Sequence, residues 1–161
     1  MEENLVPFNN QSFKCLKCGE CCQQRFVPLS QSDIDRISDN LDREDFIIFF
    51  PQFDKYTIER RKWDNSCYFL DDGNCRIYNI RPFVCRLYPL ALYNEPINEE
   101  KTRTIKLDNN EKKFLYIDDS CPGVGRGEKF DMDKIKKLST KISKEMDLTQ
   151  PPNGIELNFK K

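Results

Sequence analysis

Two stretches of this 161-residue chain repeat apolar residues at helical spacing. The first has Ile34, Ile37 and Leu41 after Ser30-Gln-Ser-Asp33, and a serine followed three residues later by an acid is typical of a helix start. The second is a stripe that consists of Met132, Ile135, Leu138, Ile142 and Met146. Its spacing predicts a helix that faces a core and stops near Gln150.

The apolar runs between these two helices are shorter. We predict a short helix from about 43 to 50, because Pro51 ends the run, and a strand over 56–63. Residues 101–107 and 112–117 predict a hairpin, since a polar turn separates them.

A second hairpin is predicted where the central cysteines lie. The runs 67–70 and 75–78 flank Asp71-Asp-Gly-Asn74, which is a strong turn signal between two strands. A hairpin of this shape brings Cys67 and Cys75 near each other.

Proline residues delimit the last short element. Pro82 suits the first position of a helix and Pro89 prevents its continuation. Cys85 then falls about one turn from the helix start, where unpaired backbone N–H groups favour a thiolate. Cys121-Pro-Gly is predicted to be a loop.

These elements together predict an α+β fold. We expect a small, irregular, metal-stabilised single domain with short hairpins and helices. The domain is predicted to cover residues 13–148, after an N-terminal extension over 1–12 and before a C-terminal tail over 149–161.

The composition indicates that the cysteines contribute to the stability of the fold. The chain has eight cysteines and no histidine, and only 38% of its residues are hydrophobic. Such a modest core usually needs disulfides or metal to be stable.

The start of the chain does not have the pattern of a signal sequence, and no apolar run reaches the ~20 residues of a membrane helix. We therefore expect a cytoplasmic protein with no membrane partner. Reducing conditions there favour metal-binding or reactive thiols, with disulfides as the alternative.

Charge adds little to this interpretation. Lys and Arg number 26 and Asp and Glu 27, which gives no support to nucleic-acid binding. A four-thiolate site with Zn²⁺ or a [4Fe–4S]²⁺ core carries a charge of −2, which neighbouring cations should offset. Arg76, Arg81 and Arg86 stand beside Cys75 and Cys85 and are candidates, although they could equally be surface residues.

The cysteines form a candidate ligand set without histidine. Cysteine pairs two residues apart can bind one metal, as in zinc ribbons and ferredoxins. Eight thiolates could make two four-cysteine sites, one cluster with spare cysteines, or a shared polynuclear site, and zinc and iron–sulfur both accept such ligands. We expect neighbouring Cys21 and Cys22 to point in different directions, so that one of them serves another metal or lies outside the ligand set. The predicted metal ligands are Cys15, Cys18, Cys21, Cys22, Cys67, Cys75, Cys85 and Cys121.

Together these cysteines and their neighbours carry a family resemblance. The motifs are Phe13-Lys-Cys15-Leu-Lys-Cys18-Gly-Glu-Cys21-Cys22, Cys67-x7-Cys75-Arg-Ile-Tyr78, Arg81-Pro82-x2-Cys85-Arg86-x-Tyr88-Pro89 and Cys121-Pro122-Gly123. They resemble the CxxCxxCC family, also called the YkgJ-type cysteine cluster, of zinc- or iron-chelating domains. The resemblance covers residues 13 to 127 and implies metal chelation by all eight cysteines. One branch of the family is associated with flagellin lysine N-methylation and an iron–sulfur cluster.

Three functions are consistent with this pattern. The first is a metal-binding protein whose [4Fe–4S] cluster or zinc has a structural or electron-handling role. The second is a flagellin lysine N-methylase-like enzyme or accessory protein, although Gly123-Val-Gly125-Arg-Gly127 is better interpreted as a turn than as a cofactor loop. The third is a thiol redox or metal-storage protein. The partners are therefore a metal ion or cluster, with a protein substrate or redox partner as a further candidate. We favour the first function.

Overall fold

A computed structural model of the chain describes residues 5–22, 27–97 and 102–146. In chain order its strands and α-helices are β1 Leu5–Pro7, β2 Ser12–Phe13, β3 Pro28–Leu29, α1 Gln31–Leu41, β4 Ile47–Phe50, β5 Lys55–Ile58, β6 Leu70–Asp71, β7 Asn74–Cys75, α2 Phe83–Leu87, β8 Leu90–Tyr93, β9 Thr104–Lys106, β10 Lys112–Asp118, β11 Glu128–Lys129 and α3 Met132–Glu145. The strand pairs are antiparallel and form several small sheets. The predicted α+β class is thus confirmed.

Contacts along the chain define two compact units. Unit 1 consists of Met1–Leu16 and Leu87–Gln150, and unit 2 consists of Lys17–Arg86 and Pro151–Lys161. The boundary between Leu16 and Lys17 passes through the N-terminal cysteine motif, so Cys15 belongs to unit 1 and Cys18 to unit 2. Within the described ranges, no helix is long and apolar enough to cross a membrane.

Unit 1 is built around the long strand β10. This strand pairs with β1 and β8, and its beginning pairs with β9 in the predicted hairpin. Leu115, Tyr116 and Ile117 are fully buried in this sheet. The predicted helix α3 buries Ile135 and Ile142 and contacts the hairpin turn, where Thr140 Oγ accepts from the Asp108 amide at 3.1 Å.

The N-terminal segment of unit 1 pairs with the loop that carries Cys121. Strand β2 pairs with β11, and Phe13 forms a further bridge with Val124. The Lys14 amide also donates to the Gly123 carbonyl at 3.1 Å. A Cβ on Gly123 would lie 2.2 Å from the Lys14 carbonyl oxygen, so only glycine permits this approach.

Unit 2 contains helix α1 and the sheet β3-β5-β4. The helix begins as predicted, because the Ser30 side chain accepts from the Asp33 amide and Asp33 accepts from the Ser30 amide. The buried Asp33 carboxylate also accepts from Arg36 at 2.7 Å and from the Phe83 amide at 3.1 Å. One side chain therefore joins the start of α1 to the start of α2, the helix of Cys85.

The predicted helix from about 43 to 50 is wrong. Residues Ile47–Phe50 form strand β4, which pairs with β5 through its full length, from Ile47 opposite Ile58 to Phe50 opposite Lys55. Branched and aromatic side chains suit a sheet, and the neighbouring strand supplies the partner that the local pattern does not reveal. The strand predicted over 56–63 is also shorter than expected, since β5 ends at Ile58.

The other predicted elements agree with the structure or lie outside it. The hairpin at 67–78 is present with short strands, and α2 follows Pro82 directly. Residue 101 and the tail over 149–161 lie outside the described residues, so the tail prediction is untested.

Candidate metal centre

The hairpin β6–β7 positions two of the cysteines in unit 2. Its turn has positive φ at both central residues, 47° at Asp72 and 78° at Gly73, which is the geometry of a type I′ turn. Leu70 pairs with Cys75, and the Arg76 amide donates to the Phe69 carbonyl at 2.9 Å. The Asp-Gly sequence thus fixes the register that holds Cys75 beside the segment of Cys67.

The N-terminal cysteine loop lies against this hairpin turn. Gly19 has a φ of 76°, and a Cβ there would meet the Gly73 carbonyl oxygen at 2.4 Å. A single 3₁₀ turn, Glu20–Cys22, follows. The Cys67 amide then donates to the Cys22 carbonyl at 2.7 Å. Backbone contacts at both ends of the loop therefore bring its cysteines to the hairpin.

Four sulfurs converge at this point from three segments of unit 2. The Cys22 thiol lies within hydrogen-bonding reach of the sulfurs of Cys21, Cys67 and Cys75, and we call these four residues the sulfur cluster. Cys22 and Cys67 are buried in the apolar core of the unit, and Cys21 and Cys75 are half-buried against it. Cys21 and Cys22 lie in the same 3₁₀ turn and their sulfurs are in contact, and the expectation that one of them serves another metal or lies outside the ligand set stays a prediction.

The protons of the sulfur cluster are unevenly distributed. Hydrogen bonds with Cys21, Cys67 and Cys75, together with burial, raise the pKa of the Cys22 thiol. The hydrogen bond from Cys22 lowers the pKa of Cys67 to about 7, and it also lowers the pKa of Cys75. Cys22 is therefore the thiol of this cluster that holds its proton most firmly, and the proton equilibria of Cys67 and Cys75 are shifted toward the thiolate.

Backbone amides support the same two thiolates. The Phe69 amide donates to the Cys67 sulfur and the Ile77 amide donates to the Cys75 sulfur, and each bond lowers the pKa of its thiol. In both cases the donor lies two residues after the cysteine. Amide bonds of this kind orient metal-bound thiolates and spread their charge.

Arg60 is the residue that sequence reasoning missed. Its side chain is buried, its Nη1 donates to the Cys22 carbonyl at 2.9 Å, and its positive charge helps to lower the pKa of Cys67. The guanidinium groups of the three predicted cations, Arg76, Arg81 and Arg86, stand over the rings of neighbouring aromatic residues. Arg60 sits in the charged run Glu59-Arg-Arg-Lys62, which looks solvent-exposed in the sequence.

The remaining predicted ligands divide between the units. In unit 2, Cys85 is half-buried and packs against the core that contains the sulfur cluster, whereas Cys18 is exposed. In unit 1, Cys15 and Cys121 are half-buried and lie on the segments that pair through Lys14 and Gly123. The structure thus brings four of the eight predicted ligands into sulfur–sulfur contact.

The chemistry of the sulfur cluster fits a thiophilic metal. Zinc and iron both accept four thiolates, and deprotonated cysteine is the ligand form that each needs. In residues 5–22, 27–97 and 102–146, no group of three or more Cys, Asp or Glu side chains is arranged to hold a metal ion as it stands. Binding would therefore draw the sulfurs together as it displaces their protons.

Comparison with known proteins gives the same chemistry. The chain is 32% identical over 92 residues to an uncharacterized protein of Methanocaldococcus jannaschii, which corresponds to 54% of this chain and 50% of that protein. It therefore spans about half the length of this relative. No solved structure matches. Residues 14–122 match the family described as "CxxCxxCC: Putative zinc- or iron-chelating domain", and the match covers more than half of the chain. The chain belongs to this CxxCxxCC family.

Proposed function

We propose that the sulfur cluster of unit 2 binds one zinc or iron centre whose main role is structural. The observation that carries this proposal is the contact of the Cys22 thiol with three other sulfurs, from Cys21, Cys67 and Cys75. Thiols packed this closely can be metal ligands, redox-active groups or inert core residues, and amide donors at two of them are typical of metal ligands.

The closeness of the sulfurs favours a single metal ion. With a Zn–S bond of about 2.3 Å, tetrahedral sulfur ligands stand about 3.8 Å apart, so sulfurs that already contact Cys22 need a small rearrangement to surround one ion. In a [4Fe–4S] cluster each cysteine binds a different iron atom, so the sulfurs must stand further apart. A [4Fe–4S] cluster with an electron-handling role is therefore the second candidate, and it would need a wider separation of the four sulfurs.

Each part of unit 2 has a defined task in binding. On metal binding Cys22 would lose its proton to solvent, while Cys67 and Cys75 would offer sulfurs whose pKa is already lowered. The amides of Phe69 and Ile77 orient those two sulfurs. Through these cysteines, a bound metal ion would add a link between the N-terminal loop and the hairpin to the contacts that already join them. A small core gains stability from such a bond.

Metal analysis of anaerobically purified protein tests the proposal. We expect close to one zinc or iron per chain, and a Cys67→Ser variant that loses most of this metal. The matched control is Cys18→Ser, because Cys18 is exposed and outside the sulfur cluster, and it should retain the metal. A visible spectrum that bleaches under dithionite, with four irons per chain, would favour the [4Fe–4S] alternative.

Two results would contradict the proposal. One is a folded wild-type protein that binds neither zinc nor iron when either is supplied anaerobically. The other is equal metal content in Cys67→Ser and Cys18→Ser, because the metal would then lie outside the sulfur cluster.

A further inference from the structure

Unit 1 has a cleft beside the segment that joins β1 to β2. Its volume is about 510 Å³, which is within the range of about 300–1,000 Å³ that is typical of small-molecule sites. The residues that line it are Pro7, Phe8, Asn9, Asn10, Gln11, Thr102 and Arg103. Among these described residues three carry a carboxamide, one carries a guanidinium group and none carries a carboxylate.

Two cations meet at Asn10 beside this cleft. The Nη1 of Arg103 donates to the Asn10 Oδ1, and the Nζ of Lys129 donates to the Asn10 backbone carbonyl at 2.5 Å. Asn10 has a φ of 58°, a left-handed conformation that asparagine adopts more readily than most residues. Among the residues that the structure describes, neither cation forms an ion pair. Two positive charges are thus held close together by neutral acceptors.

The core of unit 1 fixes the wall of the cleft in advance. Phe8 is buried, and its amide donates to the Leu115 carbonyl and to Thr102 Oγ1, at 3.3 Å in each case. The Phe8 ring packs edge-on against Phe130, with 5.8 Å between the ring centroids. The Arg103 guanidinium stands over the same Phe8 ring, 5.8 Å from its centroid. A ligand would therefore meet a cation that is already oriented, which lowers the free-energy cost of binding.

We propose that this cleft binds a small organic molecule that carries an oxyanion, either a carboxylate or a phosphate monoester. Arg103 uses Nη1 for Asn10, which leaves Nε and Nη2 as a fork that matches two oxygens of such a group. Lys129 adds a second positive charge, and the Asn9 carboxamide offers a donor and an acceptor to the rest of the molecule.

The volume of the cleft indicates that the ligand has an organic part, because a single inorganic ion would leave most of the space to water. None of the lining residues belongs to the sulfur cluster. The inference therefore goes beyond metal binding and does not depend on it.

The experiment titrates the folded full chain with inorganic phosphate, glucose 6-phosphate and citrate, and with glucose as a neutral control. Backbone and side-chain amide signals of residues 9–11 in ¹H–¹⁵N NMR spectra locate the binding, and calorimetry measures the affinity. Arg103→Gln removes the charge and keeps a hydrogen-bond donor. Arg76→Gln is the matched control, because Arg76 is also an exposed arginine that stands over aromatic rings, but it lies in unit 2.

We expect citrate or glucose 6-phosphate to shift the signals of residues 9–11, and glucose to leave them unchanged. Citrate binding would identify a carboxylate ligand, and glucose 6-phosphate binding a phosphate ester. Arg103→Gln should weaken the binding by about 10- to 100-fold, because hydrogen bonds to a charged group are lost. Arg76→Gln should bind as the wild type does.

Four outcomes would overturn the proposal. The first is the absence of any shift at residues 9–11 with all three anions at millimolar concentration, and the second is binding of inorganic phosphate alone. The third is equal binding of glucose. The fourth is equal weakening in Arg103→Gln and Arg76→Gln, because the attraction would then belong to the whole surface. Should Arg103→Gln fail to fold, Lys129→Gln decides: weaker binding supports the cleft, and wild-type binding overturns it.

Discussion

Gly19 offers the sharpest test of how the cysteine loop is held. A methyl group at Gly19 would place its carbon 2.4 Å from the Gly73 carbonyl oxygen, which is closer than such atoms approach. The substitution Gly19→Ala should therefore push the loop away from the hairpin turn. Since Cys21 and Cys22 follow directly, their sulfurs should move away from Cys67 and Cys75.

The size of the effect can be worked out against a matched control. Gly19 and Gly73 have nearly the same φ, 76° and 78°, so an alanine at either costs about 1–2 kcal/mol of backbone strain. No atom lies within 4 Å of a Cβ at Gly73, whereas Gly19→Ala adds an overlap worth about 1–3 kcal/mol. We expect Gly19→Ala to unfold about 1–3 kcal/mol more easily than Gly73→Ala.

Urea unfolding in excess chelator measures this difference without metal. Zinc competition then measures the affinity, which should fall by about tenfold for each 1.4 kcal/mol that the displaced loop costs the bound state. If the two variants agree within about 0.5 kcal/mol and bind zinc equally, the loop is not positioned by this contact, and the reasoning is refuted.

Three further predictions concern the stability of unit 2. A strong chelator should lower the thermal transition of the metal-loaded protein, because site formation is coupled to folding, and an unchanged transition would contradict this. Asp33→Ala should lower the free energy of unfolding, measured with urea, by about 3 kcal/mol, because it leaves two buried backbone amides without an acceptor. The control Asp35→Ala should lower it by about 0.5 kcal/mol or less, because Asp35 is exposed. Phe46→Ala should lower the free energy of unfolding by about 3–5 kcal/mol, because Phe46 is fully buried. Phe49→Ala should lower it by about 1 kcal/mol or less, because Phe49 is half-exposed, and equal losses in the two variants would contradict this core.

Elements that depend on local chemistry could be predicted from the sequence. The Ser30–Asp33 capping box and the Asp72-Gly73 turn each use side chains or backbone angles within a few residues. Their positions therefore followed from sequence spacing alone. The closeness of the segments of Cys67 and Cys75 followed in turn, because a two-residue turn fixes the register of its hairpin, in which Leu70 pairs with Cys75.

Features that depend on distant partners could not be predicted in this way. Ile47–Phe50 became a strand because Lys55–Ile58 pairs with it, and its apolar run alone suits either a helix or a strand. Arg60 lies 38 positions from Cys22 in a run of charged residues, which gives no local sign of burial. The contact of Cys22 with the hairpin cysteines depends on the 3₁₀ turn Glu20–Cys22 and on backbone bonds to residues far along the chain.

The sulfur cluster also has a consequence for the unfolded chain. Cys22 and Cys67 are separated by 45 positions in the sequence, yet their sulfurs are in contact. A metal that joins them closes a loop of that length, and by chain-entropy arguments such a cross-link removes about 4 kcal/mol of conformational freedom from the unfolded state at 25 °C. The added link to Cys75 closes a much shorter loop and contributes less. Most of this entropic gain would therefore come from the one connection between the N-terminal loop and the hairpin.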